Sequence, residues 1–187
     1  MALSPQRREE IFSGALALVA EHGFDKVTMD QVADATRSSK ATLYRQWGSK
    51  TALVVDALSC FATLDEGLPD TGTLRGDLLE MFAPREPKVT DEAELIGALL
   101  TATRTDAELA EAIRDRVVRP ATDRVGLVVQ RAVERGEVAA DVPGLRHLPV
   151  LLVAPFVLHD AVMAGELTDE YVRDYVESVL LPALGVH

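Results

Sequence analysis

This chain has few of the residues that carry covalent, redox or metal chemistry. It has 187 residues and one cysteine, Cys60. No intrachain disulfide can form, which fits a reducing, cytoplasmic setting. The four histidines, His22, His147, His159 and His187, share no metal-ligand spacing, and Cys60 has no neighbouring thiol. There is no glycine-rich phosphate loop and no Gly-x-Ser-x-Gly. Acidic pairs such as Asp91-Glu92 and Asp169-Glu170 stand at helix starts, where the helix dipole accounts for them. The expectation is no enzyme, no cofactor and no metal. Aromatic residues make up only 5% of the chain, against 48% apolar residues overall. Ala, Leu and Val dominate that apolar set, a mix that favours helices. No alternating Val/Ile/Thr run reads as a strand. The most apolar run, Leu148 to Leu158, is far short of the ~20 residues that span a bilayer. The N-terminus shows no basic stretch leading into an apolar one, so neither a signal peptide nor a membrane span is expected.

What the chain does have is charge, unevenly placed. A net of −11 argues against a general nucleic-acid coat. Residues 1–51 hold seven basic and six acidic residues; the rest hold twelve and twenty-four. The first fifty residues can therefore approach a polyanion that the remainder would repel. From Thr36 to Lys50 there are Arg37, Lys40, Arg45 and Lys50 and no acid at all.

The apolar spacing predicts helices throughout. Ile11, Phe12, Ala15, Leu16, Leu18 and Val19 form a broad stripe from about Pro5 to His22, and Gly23 ends it. Thr28 with Gln31 forms a capping box for a short second helix. Thr36-Arg37-Ser38-Ser39 interrupts that helix. A third runs to Trp47 with Leu43 inward, and Ser49 caps a fourth containing Leu53, Val54, Ala57, Leu58, Phe61 and Leu64. Further helices are expected over 74–82, 91–104, 105–135, 145–164 and 169–184. Thr105 and Glu108 form a second expected capping box. Pro120 should kink or break the long helix, and Pro149 and Pro155 lie inside the apolar one. The arginines of the long helix (Arg114, Arg116, Arg119, Arg124, Arg131 and Arg135) alternate with acids and read as a salt-bridged face.

Two short helices across a tight turn, the second rich in donors, describe a helix-turn-helix. Its second helix suits a major groove ~12 Å wide. Thr28, Thr42, Tyr44 and Lys50 are candidates for phosphate contacts, and Arg37, Ser39 and Lys40 for base reading. Gly23-Phe24, Thr28-Met29-x-x-Val32-Ala33, Ser39-x-Ala41-Thr42-Leu43-Tyr44, Trp47 and Ser49-Lys50 together resemble the DNA-binding domain of TetR-family transcriptional regulators. The resemblance covers roughly residues 8–58. The chain departs from that pattern in the turn, where Thr36-Arg37-Ser38 stands in place of Ala-Gly-Val. It departs again at Ala41, Gln46 and Trp47, where the family has Gly, His and Phe. Arginine adopts positive φ poorly and adds a cation at the DNA face, so an unusual operator preference is expected.

The resemblance implies an all-α protein with a DNA-binding domain over residues 1–51. Residues 52–187 would form a helical bundle that binds a small effector and dimerises through the helices near 145–164 and 169–184. It further implies a repressor of double-stranded operator DNA, released by an unknown small molecule. The effector pocket is expected among Phe61, Met81, Phe82, Leu99, Thr103, Val125, Phe156 and His159, although each alone reads better as core. His159-Asp160 is a polar pair on an apolar helix and reads first as a satisfied core or interface histidine. The rival reading is a helical ligand-binding or interaction module whose helix-turn-helix no longer reads DNA.

Overall fold

The computed structural model describes residues 3–61, 67–83, 92–163 and 168–186. Among these, all regular structure is helical. The helices are α1 (Pro5–His22), α2 (Met29–Ala35), α3 (Lys40–Trp47), α4 (Lys50–Phe61), α5 (Leu74–Met81), α6 (Glu92–Thr103), α7 (Ala107–Ile113), α8 (Arg119–Glu134), α9 (Leu148–Met163) and α10 (Asp169–Tyr175). Short 3-10 turns occupy Phe24–Lys26 and Pro143–His147. Wide, π-helical turns occupy Arg114–Val118 and Val176–Leu180, and a last turn spans Leu181–Ala183.

Residues 1–64 with 87–117 pack as one compact unit, and 65–86 with 118–187 as another. This packing division differs from a functional division at residue 51, because α4, α6 and α7 join the first unit. The reason lies in α1. Ile11, Phe12, Ala15, Leu16 and Val19 are all fully buried on it. A stripe that wide exceeds what the short helices α2 and α3 can cover, so α4 and α6 pack against it as well. Leu43, Leu53, Val54, Leu95, Leu99 and Leu109 complete this core. The second unit has its own core, built from Leu74 and Leu78, from Val125, Val128, Val129 and Ala132, and from Val176, Leu180, Leu181 and Leu184.

Helix starts follow local chemistry. Ser4 caps α1 and Pro5 takes its first position. Thr73 caps α5. The expected capping box at Thr105 is corrected: Asp106 caps α7, its Oδ1 accepting from the Leu109 N–H at 2.9 Å. Thr105 donates instead to the Ala102 carbonyl at 3.3 Å. An aspartate at that position caps as well as threonine and also faces the positive end of the helix dipole.

The prolines shape the remaining helices. Pro120 widens the backbone rather than breaking it, and the π-turn Arg114–Val118 lies immediately before the α8 start. Proline has no N–H for the carbonyl four residues back. That carbonyl, of Arg116, instead lies 2.9 Å from Ser59 Oγ, whose hydroxyl it shares with the Val55 carbonyl. Pro155 lies inside α9 and frees the carbonyl of Leu151, which accepts from the Tyr175 hydroxyl at 2.8 Å. Pro149 falls in the first turn of α9, because the 3-10 turn Pro143–His147 takes the residues before it. The arginines also find partners off their own helix. Arg124 donates to the Gly67 carbonyl, Arg131 to the Pro69 carbonyl, and Arg135 faces the fully buried Asp77 at 3.5 Å.

Candidate nucleic-acid interface

The second and third helices are set by their caps. Thr28 Oγ1 accepts from the Gln31 N–H at 3.2 Å, and Gln31 Oε1 accepts from the Thr28 N–H at 2.8 Å. This is the expected capping box. Ser39 Oγ accepts from the Thr42 N–H at 3.1 Å and lies 2.8 Å from Thr42 Oγ1. Met29, Val32 and Ala33 face inward from α2, and Leu43 from α3. Thr28, Arg37, Ser39 and Lys40 are exposed and Thr42 is half-buried. Tyr44 is 51% exposed, unusual for so large a ring.

The turn between the two helices keeps a left-handed residue without glycine. Arg37 has φ 51°, the one non-glycine residue with positive φ among those described. Its N–H donates to the Asp34 carbonyl at 3.2 Å, and the Ser38 N–H donates to the Ala33 carbonyl at 2.8 Å. These two bonds make a Schellman motif, a helix ending that normally has glycine at the left-handed position. The same pair of bonds recurs after α8 around Gly136 and at the last turn around Gly185. At Arg37 the left-handed conformation costs roughly 1–2 kcal/mol.

Neighbouring side chains hold this turn. The Arg7 guanidinium on α1 donates to the Thr36 carbonyl and, at 2.9 Å, to Ser38 Oγ. Thr36 is buried, and its hydroxyl donates to the Val32 carbonyl at 2.7 Å. Gly14 lets α1 approach: a Cβ there would lie 2.6 Å from Thr36 Cγ2.

Two candidate lysines are already engaged. Lys40 Nζ lies 2.5 Å from Asp30 Oδ2, and the bond to Asp30 raises its pKa above 10.5. Lys50 Nζ donates to the Phe24 carbonyl at 2.6 Å and stands 4.1 Å from the Phe24 ring centroid. Burial lowers its pKa below 10.5. Lys50 thus ties the start of α4 to the corner after α1, and only its remaining N–H donors are free for a phosphate. On the other side of α3, Trp47 packs on Phe12 with ring centroids 5.7 Å apart. Its indole N–H donates to Asp56, which also pairs with Arg8 and Arg116.

Sequence reading found the caps and the exposed donors but missed Arg7, Asp30 and Asp56. Arg7 meets the turn, and Asp30 meets Lys40, at no helical spacing, so no local signal marks these contacts. Asp56 left a trace: it is an acid beside the apolar stripe of α4.

The described pocket candidates divide between the two units. Leu99 and Thr103 belong to the first unit, and Met81, Phe82, Val125 and His159 to the second. Leu99 and Val125 are core residues, and Met81 and Phe82 pack beside the second core. The side chains of Phe61, Phe156 and Asp160 lie outside the described residues. His159 is buried with its Nδ1 unpartnered, edge-on to Tyr171 at 4.1 Å between centroids. Of the grooves in the structure, one of about 410 Å³ runs along His22, Phe24, Lys26, Glu94, Gly97 and Thr101. Another, of about 280 Å³, lies over Gly126, Val129, Val133 and Leu145. Neither is lined by a pocket candidate. Among the described residues no group of three or more His, Cys, Asp or Glu is placed to hold a metal, and no helix is long and apolar enough to cross a membrane.

An exposed, donor-bearing third helix on a capped second one, in an all-helical chain, defines a helix-turn-helix DNA-binding protein. Residues 11–57 match the family of bacterial regulatory proteins described as tetR, and residues 68–179 match the tetracyclin repressor-like C-terminal domain. The chain belongs to the TetR family of transcriptional regulators. It is 32% identical to a helix-turn-helix-type transcriptional regulator of Mycobacterium tuberculosis, over 95% of this chain and 88% of that one. It is 31% identical to the DNA-binding transcriptional repressor TetR of Mycobacteroides abscessus, over 97% and 95%. Salmonella enterica GusR shares its fold, with a TM-score of 0.71 at 20% identity over 98% of each chain.

Proposed function

We propose that two copies of this chain repress transcription by holding an operator, and that a small molecule releases them. Residues 1–51 would hold the DNA and residues 52–187 would bind the effector and the second copy. In the DNA-binding part, Thr28, Thr42, Tyr44 and Lys50 contact phosphates while Arg37, Ser39 and Lys40 read bases. The observation that supports this reading is the turn at Arg37, which keeps a left-handed residue between the two helices without glycine and adds a cation there. The rival, a module that no longer reads DNA, draws on the loss of the turn glycine, and the retained geometry weakens it. The Mycobacteroides relative is named as a repressor, which supports repression here.

The dimer would form through the helices near 145–164 and 169–184. Val150 on α9 is 69% exposed, an apolar side chain that a second copy would cover. Two recognition helices would then read half-sites ~34–36 Å apart. The effector, bound within residues 52–187, would act through its differential affinity for two spacings of the recognition helices.

Retention of genomic DNA fragments at two salt concentrations tests the reading. Sequence-specific retention with a steep salt dependence supports it; sequence-blind binding, or none, overturns it. Lys40→Ala should relax sequence preference, while Lys50→Ala should weaken binding to all sequences alike.

A further inference from the structure

The Lys40–Asp30 pair joins the first residue of α3 to the second residue of α2 across the mouth of the helix-turn-helix. Both side chains are about half exposed, at 55% and 53%. Asp34, one turn further along α2, adds a second negative charge near the same ammonium. An acid at this place is costly for any protein that approaches phosphates, since like charges repel. An unrestrained lysine would serve non-specific binding well. Its four-carbon stem swings freely, and its charge suits any phosphate along any duplex.

We propose that Asp30 sets the sequence selectivity of this interface by restraining Lys40. The carboxylate takes one N–H of the ammonium and draws it toward α2. That removes it from backbone phosphates, which every duplex offers. The other N–H donors stay available to an acceptor lying on the major-groove edge beside the start of α3, such as guanine O6 or N7. Such an acceptor occurs only in some sequences. Asp30 thus lowers affinity for arbitrary DNA more than for the preferred site, a form of discrimination by an unfavourable element. This rests on the reading of Lys40 as a base-facing residue.

The test compares the full chain with Asp30→Asn, Lys40→Ala and the double variant. Each is titrated against a duplex selected from a random pool by the unchanged protein, and against a duplex of scrambled sequence. Asp30→Asn should tighten binding to the scrambled duplex about two- to fivefold, the range of one exposed ion pair. It should tighten the selected duplex less, so the ratio of the two falls. The salt slope on the scrambled duplex should steepen by about 0.9, one further phosphate contact. In the Lys40→Ala background the Asp30→Asn change in that ratio should vanish, leaving only the loss of a like charge, which acts on both duplexes alike. An unchanged ratio in the single variant overturns the proposal. So does an equal change in ratio with Lys40 absent, which would make Asp30 a general field rather than a restraint. If Lys40→Ala alone leaves sequence preference intact, the base-facing reading of Lys40 fails, and that result is visible without Asp30 being touched.

Discussion

The Trp47 indole N–H donates to Asp56 Oδ2 at 3.1 Å. Through this bond the end of α3 is fixed to α4, and the same carboxylate pairs with Arg8 of α1 and with Arg116 of the π-turn. Asp56 is only 19% exposed, whereas the two arginines are about half exposed. Replacing it by alanine leaves the indole N–H without its partner at a cost of about 1–2 kcal/mol. The half-exposed arginines add little beyond that. Urea unfolding should show Asp56→Ala less stable by that amount. Asp56→Asn, which keeps an acceptor for Trp47, should lose clearly less. Equal losses would place the stabilisation in the charges instead.

Gly14 sits in the middle of α1, where alanine would ordinarily add about 1 kcal/mol of helix stability. Here the added methyl meets Thr36 Cγ2 at 2.6 Å. Gly14→Ala should therefore destabilise, by roughly 1–3 kcal/mol as in other overpacked sites. Thr36→Ser removes the clashing methyl and keeps the hydroxyl that bonds Val32. The double variant should recover most of the loss. A more stable Gly14→Ala single variant would refute this packing of α1 against the turn.

Arg37→Gly relieves a left-handed arginine and should stabilise the fold by about 1 kcal/mol. It also removes a cation from the proposed interface. Thermal unfolding should move up while affinity for a selected duplex moves down. If both rise together, Arg37 has no part in binding.

Glu137 gives the second unit an acid-sensitive contact. Burial alone would raise its pKa, but the Leu74 N–H at 2.7 Å and the Arg135 guanidinium outweigh it and bring it below 4.5. A carboxyl depressed in the folded state contributes stability above its unfolded pKa, and loses it as pH falls through the folded value. Urea midpoints should thus fall more steeply below about pH 4.5 in the unchanged protein than in Glu137→Gln. Parallel curves would show that Glu137 is not linked to folding.

Much of this was legible in local sequence. Pro5, Gly23, Thr28, the Ser38-Ser39 pair and Ser49 mark helix ends by chemistry that acts within four residues, and α1 to α4 lie where those marks put them, with Ser39 the serine that caps α3. Leu43 and Trp47 took their expected places for the same reason. The turn was legible only in part: Arg37 signals an unusual residue, but the clasp from Arg7 and the close approach at Gly14 exist only once α1 is folded against it. The extent of the first unit was hidden too, because the width of the α1 stripe does not say which helices cover it. Candidate pocket residues were chosen by size and apolarity, properties that core residues share, and they divide between the two units.

A proline inside a helix is commonly treated as a local event. In α9, Pro155 leaves the Leu151 carbonyl in want of a donor, and Tyr175 of another helix supplies it. Ser59 offers its hydroxyl to the Arg116 carbonyl ahead of Pro120, shared with the Val55 carbonyl. Each proline therefore places a demand on a residue far away in the chain. Phenylalanine at 175 or alanine at 59 would be tolerated poorly while the proline stays, and far more easily once it is gone. Among the descendants of such a sequence, these distant positions are expected to change as pairs.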